Sequence, residues 1–99
     1  MFIAKSELDT CLFQYVRIIK KLKKSRTLAR KDYYYIDLLE YITKMPLIEQ
    51  KIPSAFALKL YDKIRKTSDK VSAFVKYMKN KGIILESRFI RGKEYFKIS

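Results

Sequence analysis

The chain has no histidine, which removes both the imidazole base and the commonest protein metal ligand. A single cysteine, Cys11, can build neither a zinc site nor an intramolecular disulfide, and its place on an apolar stripe suits an inert, buried thiol. With two glycines, Gly82 and Gly92, there is no glycine-rich loop to cradle a phosphate. Acidic residues do not cluster at a metal-binding spacing, so neither a metal nor another cofactor is expected, and an enzyme is the least favoured class. No apolar run approaches the ~18 residues that a membrane span needs, and the opening MFIAKSELDT lacks a signal-peptide layout. A soluble, cytoplasmic protein without membrane contact is therefore expected, and no small-molecule pocket is legible.

What is abundant is positive charge. Twenty-three Lys and Arg stand against ten Asp and Glu, a formal +13 on 99 residues. Hydrophobic residues at 48% are enough to fold one domain, residues 1–99, and too many for a disordered chain. The charge is uneven. Residues 20–31 hold seven basic side chains and no acid, whereas residues 32–50 hold four acids and one lysine. Residues 63–81 again hold seven basic side chains against Asp69 alone. Such segregated charge is drawn to a polyanion, and duplex DNA carries one negative charge per ~1.7 Å of axis.

The apolar pattern divides the chain into elements. Leu8, Cys11, Leu12, Tyr15, Val16, Ile19 and Leu22 recur at helical steps and predict a helix over 6–24, with Ser6 as N-cap. Phe13 and Ile18 widen its stripe beyond what one packing partner covers. A helix capped by Asp32 follows, with Tyr35, Leu38, Leu39 and Ile42 inward, and Met45-Pro46 ends it. Leu47–Ile52 reads as one short strand, and Pro53-Ser54 as the start of a third helix. Thr67 or Ser68 caps a fourth, with Val71, Phe74, Val75 and Met78 inward and Gly82 as the left-handed stop. A hairpin turning at Arg91-Gly92 would then pair Phe89 with Glu94, Ser87 with Phe96 and Leu85 with Ile98.

This order of elements, and the stretch Thr67 to Ile84 above all, resembles the winged helix-turn-helix superfamily, in the style of MarR- and ArsR-like regulators. The resemblance implies a mainly α fold with a small β-hairpin: a winged helix-turn-helix core at 32–98 and an extra N-terminal helix at 6–24. It further implies a recognition helix at about 68–81 in the major groove of double-stranded DNA, with a wing at about 88–94 on the backbone or minor groove. On that reading Lys70, Ser72, Ala73 and Lys76 project into the groove, and Ser68 lies near a phosphate. Arg88, Arg91 and Lys93 serve the wing, and Lys23, Lys24, Arg26 and Arg30 make secondary backbone contacts. Phe89 and Ile90 read as packing residues rather than as wedges between bases. The first helix would pair two copies into a homodimer through Leu8, Leu12, Tyr15 and Ile19, so that half-sites lie roughly 34 Å apart.

A sequence-specific transcriptional regulator is the expected function. The alternatives are a protein-interaction scaffold of the same shape, or a non-specific architectural or partition DNA-binding protein. A plasmid- or virus-encoded factor of an archaeon suits the size, the charge and the scarcity of side-chain amides, which are limited to Gln14, Gln50 and Asn80.

Overall fold

The computed structural model describes residues 1–98. A short strand β1 (Phe2–Ala4) runs directly into the long helix α1 (Lys5–Lys23), and α2 (Arg30–Thr43) follows. Two very short strands, β2 (Ile48–Glu49) and β3 (Ile52–Pro53), lead into α3 (Ala55–Ile64) and α4 (Lys70–Asn80). The hairpin β4 (Glu86–Ile90) and β5 (Lys93–Lys97) completes a three-stranded antiparallel sheet in the order β1-β5-β4. The fold is four helices with a small antiparallel sheet, and its buried apolar residues form one cluster.

Helix α1 is the axis of that cluster. It packs on α2, α3 and α4 and touches β5, which accounts for the width of its apolar stripe as far as Ile18, whereas Phe13 stays exposed. Leu8, Leu12, Tyr15 and Ile19 are fully buried within the chain, as is Ile18. The Tyr15 hydroxyl donates to the Ala57 carbonyl at 2.6 Å, tying α1 to α3. This overturns the expectation that these four residues form a dimer face: no surface remains on them for a second copy. Periodicity reveals how wide a stripe is, not which elements cover it. The start of α1 also differs. Ala4 is held in the strand pairing with Tyr95, so the helix begins at Lys5 without a side-chain cap, and Ser6 lies inside it. Its end is tidy: Ser25 takes a left-handed φ of 55°, and the Arg26 N–H reaches the Lys21 carbonyl at 2.9 Å.

Helix α2 starts two residues before its expected cap. Asp32 acts from the third position, its carboxylate accepting the Ala29 N–H at 2.8 Å and the Lys21 ammonium at 3.0 Å. Burial pushes this carboxyl up, but the Ala29 amide and Lys21 outweigh it and hold Asp32 below the ordinary aspartate value. The inward face is Ile36, Leu39 and Ile42, with Tyr35 half-buried at its edge.

The stretch expected as one strand is instead a tight hairpin pairing Ile48 with Pro53 and Glu49 with Ile52. Gln50 and Lys51 both adopt positive φ, the geometry of a two-residue type I′ turn, without help from glycine. Helix α3 starts as its sequence predicts, the Ser54 hydroxyl accepting the Ala57 N–H at 3.1 Å. In the β4–β5 hairpin the predicted pairs Phe89–Glu94 and Ser87–Phe96 are present, with Arg91 and Gly92 at φ 51° and 79°. The ladder stops at Glu86, so Leu85 and Ile98 are not paired in it but buried in the core.

Candidate nucleic-acid interface

Helix α4 lies beside the sheet, and a groove of about 440 Å³ runs between them. Val75, Lys76 and Lys79 line it from the helix, and Ser87, Glu94 and Phe96 from the sheet. Lys5, at the start of α1, closes one end and pairs with Glu94 at 3.7 Å. Val71, Phe74 and Met78 anchor the helix in the core, and Gly82 at φ 81° ends it. The Ile83 N–H then bonds to the Met78 carbonyl at 2.9 Å, closing the last turn.

The first turn of α4 departs from expectation at three residues. The cap is Asp69, not Thr67 or Ser68: its carboxylate accepts the Ser72 N–H at 3.1 Å and the Ser72 hydroxyl at 2.8 Å. Those two bonds hold the Asp69 carboxyl below its ordinary value, so it is anionic at neutral pH. A negative charge thus occupies the helix end where Ser68 was to meet a phosphate, and the Ser72 hydroxyl is already engaged.

Lys70 is the clearest correction. It does not project outward; it is 6% exposed. Its ammonium donates to the Ile64 carbonyl at 3.0 Å and the Thr67 carbonyl at 2.8 Å, with the Phe13 ring of α1 centred 5.1 Å away. The cause lies in α3, whose last turn leaves carbonyls without intrahelical partners and carries the negative end of the helix dipole. The buried ammonium reaches the Ile64 carbonyl there and, in the turn beyond α3, that of Thr67. The α3–α4 turn therefore holds without glycine, and none of the described residues 65–69 has a positive φ.

The outward face of α4 is instead Ser72, Lys76, Lys79 and Asn80, all exposed, with Ala73 half-buried beside them. Lys79 and Asn80 were not singled out in the sequence, although a signal existed. They lie three and four residues beyond Lys76 and therefore share its face.

Across the groove, Arg88, Arg91 and Lys93 are exposed on or beside the hairpin turn. Arg88 lies on the sheet face away from the groove, its guanidinium 5.6 Å from the Phe2 ring. Phe89 and Ile90 do not pack in the core as expected; they are 73% and 46% exposed. Lys23, Lys24, Arg26 and Arg30 are exposed too, but at the other end of the molecule. At 1.5 Å per helical residue, Lys23 lies about 27 Å along α1 from Lys5. There its ammonium sits 5.2 Å from the Tyr61 ring, so the structure does not bring this cluster together with the hairpin.

Cys11 is buried on α1, and burial, aided by Glu7, pushes its thiol up to about 12, which leaves it unreactive as a thiol. Among the described residues, no group of three His, Cys, Asp or Glu is placed to hold a metal ion. Nor is any helix among them long and apolar enough to cross a membrane. Comparison with protein-family models, with curated proteins and with solved structures returned no match. The geometry alone carries the functional reading.

Proposed function

We propose that the chain is a winged helix-turn-helix protein that binds double-stranded DNA, with α4 as the recognition helix and the β4–β5 hairpin as the wing. One observation carries this reading. The exposed row Lys76, Lys79 and Asn80 faces away from the core next to a groove whose far wall is a hairpin tipped with Arg91. An α-helix fits the major groove, where a lysine can reach guanine O6 and N7 or a phosphate and an asparagine can pair with adenine. The hairpin then meets the adjacent backbone or minor groove. Contacts are placed toward the C-terminal half of α4, because Asp69 repels phosphate from its first turn.

A transcriptional regulator is the role we infer. A second reading, non-specific architectural binding, is favoured by the make-up of that row: two lysines, which meet phosphates as readily as guanines, and a single amide, Asn80. Selection from a random duplex pool separates the two, since a regulator recovers a defined motif and an architectural protein does not.

The DNA-binding reading itself is tested by duplex affinity against salt concentration, followed by fluorescence anisotropy. The log–log slope is expected near −0.9 per phosphate contact. Replacing Lys76 and Lys79 together by alanine should weaken binding and flatten that slope by about 2. Lys44→Ala, at the end of α2, should leave both unchanged. Equal losses in the two proteins would remove α4 from the interface.

A further inference from the structure

Phe89 has no place in the core. Strand β4 is an edge strand, and none of its five residues is buried. Phe89 is 73% exposed, more than any other large apolar side chain among the described residues. It pairs with Glu94 and by strand alternation shares the sheet face of Ser87 and Phe96, the face that lines the groove beside α4. A ligand seated on Lys76 and Lys79 therefore approaches this ring. The two-residue turn at Arg91-Gly92 begins two residues later, with both φ values positive as in type I′. Arg91 follows at the turn, Arg88 and Lys93 are exposed on the other face of the same hairpin tip, and the carboxylate opposite the ring, Glu94, is paired with Lys5.

An exposed aromatic ring beside a tight turn, on a hairpin tip that carries three cations and facing the same side as a basic helix, has the design of a wedge for stacked bases. We propose that Phe89 inserts between base pairs of the bound duplex and bends it, the neighbouring cations neutralising the phosphates on either side of the step. Ile90, 46% exposed, points to the opposite face of the strand and takes no part. This inference rests on the duplex-binding reading above and adds deformation of the DNA to it.

The chain has no tryptophan, so Phe89→Trp creates a single reporter at the site. Its emission should be quenched on adding a 20-base-pair duplex and should stay unchanged with vesicles of phosphatidylserine and phosphatidylcholine. In parallel, the wild-type protein should raise energy transfer between dyes on the two ends of that duplex. Phe89→Ala, an exposed substitution that leaves the core intact, should still bind, about three- to tenfold more weakly, with the energy transfer unchanged from free DNA. Binding without quenching, and equal bending by wild type and Phe89→Ala, overturns the wedge while leaving DNA binding intact. Absence of duplex binding by the wild type overturns both. A blue shift with the vesicles and no response to DNA would assign the tip to an anionic membrane surface instead.

Discussion

In the first turn of α4 a lysine ammonium is held by two backbone carbonyls, while in its last two turns Lys76 and Lys79 keep theirs in solvent. The three side chains are identical and the helix is the same. What separates them is the neighbourhood: Lys70 lies within reach of the Ile64 carbonyl at the end of α3, and the other two are exposed along the groove beside the sheet. The same division appears on α1, where Lys21 is committed to Asp32 and its neighbours Lys20 and Lys23 are exposed. A formal charge of +13 therefore overstates what the surface offers a polyanion. Cations engaged inside the chain hold the scaffold, and the remaining ones are available to a partner.

That contrast can be tested by substitution, beginning with the surface most firmly committed to the interior. Leu12→Ala, at a fully buried position on α1, should cost about 2–5 kcal/mol in urea unfolding. The loss should not vary with protein concentration; a concentration-dependent loss would restore α1 as an intersubunit helix. Next comes the lysine pair. Lys70→Met should cost about 2–3 kcal/mol, because two carbonyls lose a charged donor in a site closed to water. Lys76→Met should change stability by less than about 0.5 kcal/mol, as exposed substitutions usually do. Similar losses at the two positions would erase the distinction.

Asp32 sharpens the comparison through pH. Its carboxyl is held below its ordinary value of 3.8 in the folded chain, so the ionised group stabilises the fold. That contribution is complete above the unfolded value and is lost as pH falls through the lower folded value. Asp32→Asn should therefore melt at a lower temperature than wild type at pH 7, with the gap closing in acid below about pH 4. A gap that persists unchanged at pH 2 would show that the Lys21 pair contributes nothing.

Much of the local structure was legible because it depends on neighbours in sequence. The span of α1, the Ser54 cap, the left-handed stop at Gly82 and the pairing of Phe89 with Glu94 all follow from spacing and turn chemistry. The hairpin of β2 and β3 was missed because its turn uses Gln50 and Lys51 where glycine or asparagine is the usual signal. β1 was missed because three residues show no alternation, and its partner strand lies at the opposite end of the chain. Of the candidate interface, Lys76, Arg91 and the anchors Val71, Phe74 and Met78 were identified, Val75 instead lies half-buried in the groove wall, and Lys79 and Asn80 could have been found from the same helical period.

Composition, charge segregation and the order of helices and hairpin were set by the amino-acid sequence itself, through short-range propensities that need no knowledge of distant contacts. Tertiary packing decided which apolar stripe was already covered, which lysine turned inward and which phenylalanine stayed out. Each of those outcomes depends on what lies opposite a side chain in space. The Ile64 and Thr67 carbonyls beside Lys70 and the three helices around α1 are brought there by the fold, and no spacing along one helix encodes them.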